Sequence, residues 1–215
     1  TRRGSFERTR ESGMKALITG ASTGIGRDMA HALARRGFEL ILVARRAELL
    51  VQLKSELPVP SRVIALDLSD EAQCRALYEQ TKDDAVDIVI NNAGFGTYGT
   101  FLSTDRELLL KELDLNCRVP AELTSLCAPL MPARSLIINI SSLAAFAPLG
   151  GFALYAATKA FMLSFSVGLA TELRDQDVMV HAFCPGPVKT EFAHIASGGL
   201  RKDVKGGWED RKSVV

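Results

Sequence analysis

The sequence predicts an α/β fold in three layers: a doubly wound parallel sheet of six strands with helices on both faces. From Met14 onward, short runs rich in Ile, Leu and Val alternate with longer stretches of helical periodicity. The apolar runs are nearly continuous, which is typical of strands buried on both faces of a parallel sheet. Right-handed crossovers between such strands produce a doubly wound arrangement. A chain of 215 residues suits one domain of this kind.

Strands and helices follow one another in strict alternation. The predicted strands are Lys15–Thr19, Glu39–Val43, Arg62–Leu66, Asp87–Ile90, Leu136–Ile140 and Val178–Phe183. The predicted helices are about Gly26–Arg36, Ala47–Leu57, Ser69 or Asp70 to Lys82, Asp105–Ala128 and Phe152–Arg174. Gly37 and Pro58 end the first two helices, and Ser69 or Asp70 caps the third. Ligands of such sheets bind beyond the carboxyl ends of the strands, so polar motifs at those ends are candidate site residues.

The two ends of the chain differ in composition from this central part. Residues 1–13 are polar and lack periodicity, and we expect them to be a disordered extension. Residues 14–192 form the predicted main domain. Residues 193–215 are polar and rich in glycine, and no seventh strand can be assigned there. We therefore expect an incomplete substrate-covering region and an open sheet edge, which invites association into a homodimer or homotetramer.

Composition argues against several classes of protein. The 26 basic and 25 acidic residues leave a formal net charge of +1, so nucleic-acid binding is not predicted. No metal-ligand spacing joins the three histidines to the four cysteines, and we predict no metal site and reduced thiols in a cytoplasmic protein. The charge-free run 135–158 is long enough to span a membrane. Pro148 and the Gly150-Gly151 pair interrupt it, so no span is predicted.

A glycine-rich segment joins the first strand to the first helix. It reads Thr19-Gly20-Ala21-Ser22-Thr23-Gly24-Ile25-Gly26. Glycines permit a tight turn and let backbone N–H groups approach a pyrophosphate at the helix N-terminus. An ordinary strand–helix turn is the alternative. The position after the first strand favours nucleotide binding by Gly20, Ser22, Thr23, Gly24, Ile25 and Gly26.

Two arginines follow the second strand, in Val43-Ala44-Arg45-Arg46. An NAD-selective site usually has Asp or Glu here, to bind the ribose 2′-hydroxyl. Arg45 could instead bind a 2′-phosphate bidentately, with Arg46 beside it. Solvated charge is the alternative, although arginine at a helix N-terminus opposes the helix dipole. We therefore predict NADP(H) in preference to NAD(H), and Arg27, which opposes a dipole likewise, could assist.

Polar residues also follow or face the later strands. Asp67 could accept a hydrogen bond from the adenine amino group, or it could simply form a turn. In Asn91-Asn92-Ala93-Gly94 the amides can tie neighbouring loops, and Ala93 and Gly94 leave space for a flat ligand. Asn116 lies inside the long helix, where Pro120 cannot donate to its carbonyl group. That carbonyl could hold a water, or the helix could merely be kinked.

Tyr155 and Lys159 lie four residues apart and therefore share one face of a helix. Ser142 precedes the tyrosine by thirteen residues and ends an apolar run. A phenol has a pKa near ~10 and must lose about two to three units to exchange a proton near neutrality, which a nearby ammonium group favours. An amphipathic helix with a solvated lysine is the alternative. The three groups together predict an acid/base centre.

Taken together, these motifs resemble the short-chain dehydrogenase/reductase family, Rossmann-type oxidoreductases that use NAD(P). The resemblance covers about residues 14–192. It also includes Pro185-Gly186 followed by Val188 and Thr190. Within the family, Leu-Ile-Thr-Gly-Ala-Ser and Leu-Val-Ala-Arg-Arg are similar to a bacterial branch of NADPH-linked carbonyl reductases.

The resemblance implies a role for each matching residue. Tyr155 gives its proton to a carbonyl oxygen, Lys159 lowers the Tyr155 pKa and binds the nicotinamide ribose, and Ser142 stabilises the oxyanion. Ser141 is a rival for that last role. Asn116 holds a water of a proton relay. The Pro185–Val188 backbone and Thr190 hold the carboxamide.

An apolar carbonyl or alcohol substrate is expected, because the residues predicted to line the pocket are apolar. They are Phe95, Leu143, Leu149, Phe152 and Phe192. Two alternative functions stay open. One is a non-catalytic NADP-binding sensor or scaffold. The other is an NAD-linked alcohol or hydroxysteroid dehydrogenase.

Overall fold

The computed structural model describes residues 13–186, in which strands and helices alternate along the chain. The strands are β1 (Lys15–Thr19), β2 (Glu39–Ala44), β3 (Ser61–Ala65), β4 (Ile88–Asn91), β5 (Ser135–Ile140) and β6 (Val178–Phe183). The helices are α1 (Gly24–Ala34), α2 (Ala47–Glu56), α3 (Glu71–Thr81), α4 (Arg106–Leu113), α5 (Val119–Cys127) and α6 (Ala153–Glu172). All six strands are parallel, in the order β3-β2-β1-β4-β5-β6. The predicted Rossmann-type doubly wound sheet is therefore confirmed.

The central strands are buried on both faces, which explains their continuous apolar sequences. Successive side chains of a strand point to opposite faces. In β1, Leu17 belongs to the core cluster on one face, and Ala16 and Ile18 belong to the cluster on the other. In β2, Ile41 and Leu42 are divided in the same way. Helices therefore cover both faces, and the switch point of the sheet lies between β1 and β4.

Most predicted element boundaries lie within two residues of the observed ones, and the local signals explain why. Asp70 caps α3 by accepting a hydrogen bond from the backbone N–H of Ala72 at 2.9 Å. Gly37 follows the end of α1 with a φ of +81°, a conformation that glycine adopts without strain. These caps are short-range features, so sequence patterns predict them well.

The single long helix predicted over Asp105–Ala128 is wrong in its detail. Helix α4 ends at Leu113, a π-helical turn spans Asp114–Arg118, and α5 then begins with Pro120 in its first turn. Proline lacks an N–H donor and clashes with the preceding turn of a regular α-helix. The wider π-turn accommodates this, and such turns are frequent at functional sites.

Helix α6 packs against β5, β6 and the short 3₁₀ turn Leu143–Phe146. Among residues 13–186 it is the one helix that is long and apolar enough to cross a membrane by length and composition. This is weak grounds for a span, because its Lys159 is 7% exposed within the protein. The predictions for residues 1–12 and 193–215 lie outside the described residues.

Candidate active site

The glycine-rich segment forms a tight turn between β1 and α1 at the carboxyl edge of the sheet. Gly20 and Gly24 have φ values of +66° and +56°. A Cβ atom on Gly20 would lie 2.7 Å from Asn92 Nδ2, and one on Gly26 would overlap the Gly20 carbonyl oxygen. Thr23 stands at the N-cap of α1 without a side-chain capping bond, and the first turn holds no acidic residue. The positive end of the helix dipole is therefore not neutralised from within α1.

Asn92 ties this segment to the turn after β4. Its Nδ2 donates to the carbonyl oxygens of Thr19 and Gly20 at 2.9 and 3.0 Å. The Thr19 hydroxyl in turn accepts from the backbone N–H groups of Asn92 and Ala93, both at 3.0 Å. The Asn92 amide thus fixes the shape of the loop, as the sequence suggested for an amide at this strand end.

Asn91 has a different, structural environment in the core. Its Nδ2 donates to Asn139 Oδ1 on the neighbouring strand at 2.8 Å, and also to Thr124 on α5 at 3.2 Å. Asn139 Nδ2 continues the network to Ser166 on α6 at 2.9 Å. The two asparagines are paired in the parallel register of β4 and β5. This buried network holds α5 and α6 on one face of the sheet.

The arginines after β2 lie at the open edge of the glycine-rich turn. The Arg45 side chain is 70% exposed, and its Nη1 lies 3.9 Å from Asp67 Oδ2. Arg46 Nη2 donates to Thr23 Oγ1 at 3.3 Å, which joins this strand end to the first helix. Arg27 instead donates to Glu56 at 2.5 Å, so the suggestion that it assists Arg45 is not supported.

Asp67 forms a turn in this structure. Its Oδ1 accepts from the Ser69 backbone N–H at 3.1 Å and from the Ser69 hydroxyl at 2.7 Å. The sequence left two interpretations of Asp67 open, and the structure contains the turn; the hydrogen bond to adenine stays a prediction. The contact of Asp67 with Arg45 places the carboxylate beside the same strand end.

Asn116 brings the π-turn, the segment after β4 and α6 together. Its Oδ1 accepts from the Phe95 N–H at 3.1 Å, and its Nδ2 donates to the Phe95 carbonyl at 2.7 Å and to Thr158 Oγ1 at 3.0 Å. A Cβ atom on Gly94 would lie 2.8 Å from Asn116 Oδ1 and 3.7 Å from Lys159 Nζ. Both N–H groups of the side-chain amide therefore have protein partners, and the prediction that the backbone carbonyl of Asn116 holds a water stays a prediction.

The two serines at the end of β5 have different partners. The Ser141 hydroxyl is buried and donates to the backbone carbonyl of Lys159 at 2.7 Å. Ser142 accepts from the Ala144 N–H at 3.1 Å, and its hydroxyl interacts with the Tyr155 phenol in the direction that lowers the pKa of the phenol. The hydroxyl that meets the phenol is therefore that of Ser142, and Ser141 holds α6 on the strand.

Tyr155 and Lys159 lie in the first two turns of α6, beside the end of β5. Lys159 Nζ lies 5.6 Å from the centroid of the Tyr155 ring and donates to the Ile140 carbonyl at 2.9 Å. Three groups predicted to act together, a hydroxyl, a phenol and an amine, thus meet at the end of β5.

The pKa values in this state correct one expectation from the sequence. Burial raises the pKa of Tyr155 above 10.0, the Ser142 hydrogen bond acts in the opposite direction, and the charge of Glu112 raises it further. Burial lowers the pKa of Lys159 to about 8. The predicted lowering of the Tyr155 pKa by Lys159 is therefore not present here, because desolvation dominates at both groups.

Two residues near the site have no motif that predicts them. Tyr98 packs its ring 5.0 Å from that of Phe152, which lies 5.6 Å from the Tyr155 ring. Glu112 is fully buried and binds Thr97. Local spacing carries no signal for either contact, because both depend on where distant loops meet.

The apolar residues predicted to line the pocket follow the same edge of the sheet. Phe95 and Phe152 are half-buried, and Leu143 is 51% exposed. Gly186 lies beside the Leu143 side chain, and the Pro185 carbonyl accepts from the Leu143 N–H at 3.1 Å. The predicted contributions of Val188, Thr190 and Phe192 fall outside the described residues.

The residues at this edge fit a dinucleotide. Gly20 and Gly26 leave no space for a Cβ atom where a loop meets a helix N-terminus, and Gly94 does the same beside Lys159. Arg45 lies exposed at the next strand end. Such an arrangement at the switch point of a doubly wound sheet defines a dinucleotide-binding α/β protein of the oxidoreductase type.

Comparison with known proteins names the family. Residues 14–198 match the short chain dehydrogenase family, and the chain belongs to it. It is 35% identical over 201 residues to the very-long-chain 3-oxoacyl-CoA reductase of Neurospora crassa, which covers 88% of this chain and 60% of that protein. It is also 35% identical over 192 residues to the serine 3-dehydrogenase of Agrobacterium fabrum, covering 85% and 75%. The chain thus spans less than two thirds of the first relative and three quarters of the second.

Solved structures agree with this assignment. A short-chain dehydrogenase from Sphingobium yanoikuyae in complex with NADPH superimposes with a TM-score of 0.78 at 36% identity, covering 85% of this chain and 74% of that one. A serine dehydrogenase complexed with NADP⁺ superimposes with a TM-score of 0.81 at 31% identity, covering 87% and 78%. The family binds a nicotinamide cofactor, and this chain has its fold.

Proposed function

We propose that this protein is an NADPH-dependent oxidoreductase that reduces the carbonyl group of a ketone, aldehyde or 3-oxoacyl compound to an alcohol. One observation carries the proposal: the Tyr155 phenol interacts with Ser142, and the Nζ atom of the buried Lys159 lies over its ring, 5.6 Å from the centroid. Membership of the short chain dehydrogenase family supports it. A protein that only bound a nucleotide would have no use for this buried acid/base group, since burying an amine is destabilising.

In the proposed mechanism, Tyr155 is the general acid. Burial keeps its pKa above the ordinary value, so the phenol retains its proton at neutral pH until a carbonyl oxygen accepts it. Ser142 donates to the same oxygen and stabilises its developing charge. Lys159, with a pKa of about 8, is able to return a proton to the phenolate. The nicotinamide cofactor supplies the hydride.

Asn116 would help Lys159 and Tyr155 to recover their protons without contacting the substrate. Its side chain fixes Phe95 and Thr158, and the Thr158 hydroxyl donates to the Tyr155 carbonyl at 2.8 Å. The proposed role of its backbone carbonyl is to hold the water through which Lys159 recovers a proton. Asn116 would therefore act as a positioning residue in the reaction.

The cofactor would lie along the carboxyl edge of the sheet. We propose that Gly20, Gly24 and Gly26 admit the pyrophosphate, with Ser22, Thr23 and Ile25 at the N-terminus of α1. Asp67 would lie beside the adenine end. Asn92, Ala93 and Gly94 would lie along the middle of the cofactor, and Pro185, Gly186, Val188 and Thr190 at the nicotinamide end.

A preference for NADP(H) follows from Arg45 and Arg46. Both guanidinium groups lie at the end of β2, and no carboxylate takes the place where an NAD-selective site has one. We expect Arg45→Ala to weaken NADPH binding at least tenfold and NADH binding less than threefold, because a charge-assisted pair is worth about 1.5–3 kcal/mol. Fluorescence titration with both cofactors measures this. Equal losses would refute the 2′-phosphate assignment.

The substrate is proposed to be apolar around its carbonyl group. The apolar side chains proposed to line the pocket, Phe95, Leu143, Leu149 and Phe152, are exposed or half-buried, and Phe152 packs 5.6 Å from the Tyr155 ring. No charged side chain of residues 141–155 accompanies them. A panel of aliphatic, aromatic and 3-oxoacyl carbonyls assayed with NADPH tests this expectation, and a sugar substrate would contradict it.

Tyr155→Phe tests the function itself. The variant should lose at least a thousandfold in kcat with NADPH, since it lacks the proton donor, while its NADPH affinity stays within a few-fold of wild type. If the wild type binds NADPH but reduces no carbonyl, a non-catalytic sensor or scaffold is favoured. If it oxidises alcohols with NAD⁺ faster than it reduces carbonyls with NADPH, an NAD-linked alcohol or hydroxysteroid dehydrogenase is favoured.

Self-association and a cytoplasmic location complete the proposal. Apolar side chains on the outer faces of α4 and α6 are exposed, such as Leu110 at 43% and Val167 at 64%. A homodimer or homotetramer would bury them. Light scattering in solution measures the assembly, and a monomer at micromolar concentration would contradict it. All four cysteines described are free thiols, as expected in the cytoplasm.

A further inference from the structure

Glu112 is a buried carboxyl group that the proposed mechanism does not use. It lies in the last turn of α4, four residues before Asn116, and its side chain is 0% exposed. Its Oε2 accepts from the Thr97 backbone N–H at 3.0 Å and from the Thr97 hydroxyl at 2.6 Å. Its Oε1 has no hydrogen-bond partner among residues 13–186. A buried carboxyl group with a free oxygen is destabilising, so packing alone does not account for it.

Glu112 and Asn116 hold one segment between them. Residues one helical turn apart lie on the same face. Asn116 binds both backbone polar groups of Phe95, and Glu112 binds the backbone and side chain of Thr97. The segment from Phe95 to Thr97 is therefore fixed to α4 and the π-turn at two points.

This segment is followed by Tyr98, the first of three aromatic rings that pack in a row to the proposed general acid, Tyr155. Tyr98 follows Thr97, and its ring packs against Phe152 at 5.0 Å. The Gly99 N–H donates to the Gly151 carbonyl at 2.9 Å, which joins the two loops. Phe152 contacts the Tyr155 ring edge-on at 5.6 Å. A shift of Thr97 would therefore change the packing of the rings against Tyr155.

The charge of Glu112 is its second connection to the proposed active site. The ionisable groups that interact with Glu112 are Lys159 and Tyr155 on α6 and Cys117 on the π-turn. Lys159 also interacts with Cys184, just beyond β6. Burial raises the pKa of Glu112, while the Thr97 hydrogen bonds and the charge of Lys159 oppose that rise. The Glu112 carboxylate in turn raises the pKa values of both Lys159 and Tyr155. At Lys159 this opposes the effect of burial, whereas at Tyr155 it adds to it.

We propose that Glu112 is a positioning residue for carbonyl reduction: it fixes the Phe95–Tyr98 segment and places a negative charge behind Lys159 and Tyr155. The charge keeps both protons in place, so that the phenol stays an acid to higher pH. This inference rests on the proposed function, because it assigns Glu112 a part in that same reaction.

Glu112→Gln separates the charge from the contact. Glutamine has the same shape, and its oxygen can still accept from Thr97. We expect E112Q to keep a KM for the carbonyl within twofold of wild type. The alkaline limb of its kcat/KM profile should move down by roughly half to one pH unit, the size expected for a unit charge several ångströms away. The sign follows because a carboxylate opposes the formation of a second negative charge nearby, so its removal makes phenolate formation easier.

Thr97→Val is the matched control, since it removes one hydroxyl and leaves the charge. We expect T97V to raise KM several-fold and to leave the alkaline limb within 0.2 pH unit of wild type, the rough precision of such profiles. An unshifted limb in E112Q overturns the role of the charge. An unchanged KM in T97V overturns the role of the contact. Loss of the folded state in E112Q makes Glu112 structural and also overturns the proposal.

A direct titration keeps this inference distinct from the proposed function. Absorbance at 295 nm reports tyrosine ionisation, and subtracting the Y155F background isolates Tyr155. The Tyr155 signal should titrate at lower pH in E112Q than in wild type, whether or not the protein turns over. Activity in none of the carbonyl assays would refute the proposed function, whereas an unchanged 295 nm titration would refute the role of Glu112 alone.

Discussion

Replacing Lys159 with methionine should stabilise the folded protein near neutral pH while abolishing carbonyl reduction. The lysine is buried, and burial lowers its pKa from 10.5 to about 8. A difference of this size corresponds to about 3 kcal/mol of destabilisation at pH 7, where the ammonium must be kept out of water. Methionine fills a similar volume without a charge. It also forfeits the hydrogen bond to the Ile140 carbonyl, which is worth about 1–2 kcal/mol at any pH.

The effect of Lys159→Met on the free energy of unfolding should disappear or reverse at high pH. Between pH 8 and 10.5 the unfolded chain binds more protons at Lys159 than the folded protein does, so the stability of the wild type rises through that window. From pH 7 to pH 10 the wild type should gain about 2–3 kcal/mol relative to Lys159→Met. The variant should therefore be about 1–2 kcal/mol more stable at pH 7 and no more stable than wild type at pH 10.

Urea denaturation at both pH values, followed by circular dichroism, measures these free energies of unfolding. Lys54→Met, on the exposed side of α2, is the matched control, and it should change stability by less than about 0.5 kcal/mol. A Lys159→Met variant that is less stable than wild type by the same amount at both pH values would refute the reasoning. Stability given up at a buried functional group is the usual trade between folding and activity.

Two further predictions concern packing and thiol chemistry. Gly26→Ala should lower the free energy of unfolding by about 1–3 kcal/mol, because the added methyl group would meet the Gly20 carbonyl and Asn92. Gly168→Ala, on the open side of α6, should raise the free energy of unfolding by about 0.5–1 kcal/mol. Urea titrations measure both changes, and equal effects of the two substitutions would contradict the prediction. Burial raises the pKa of Cys74 to about 12 and those of Cys117 and Cys127 to about 11. These three thiols should therefore react slowly with a disulfide reagent at pH 8, and all four cysteines should react at once in denaturant; rapid labelling of Cys74 in the folded protein would be the contrary result.

Elements with a local cause were predicted well. β1 and β6 have the predicted bounds, because runs of apolar residues between breakers define a buried strand. The spacing of Tyr155 and Lys159 sufficed to place them on one face of α6, and the helical period alone explains this. The preference for Ser142 over Ser141 came from the resemblance, and the hydrogen bonds of both serines are consistent with it.

The long helix around Asn116 was predicted only in outline. The sequence indicated a disturbance at Pro120, but a π-turn and a kink are equally compatible with a missing donor. Which of them forms depends on the partners of Asn116, namely Phe95 and Thr158. Both are distant in the chain, and no local pattern connects them.

Local patterns in the chain thus decided the strands, the caps, the glycine-rich turn and the spacing of the acid/base pair, because each depends on neighbours within a few residues. Tertiary structure alone decided the burial of Lys159, the direction of the Tyr155 pKa and the contact of Glu112 with Thr97. Desolvation and long-range hydrogen bonds arise only when separate elements pack together. The residues of a site can therefore be recognised from their order, whereas their charge states follow from the environment that the fold builds around them.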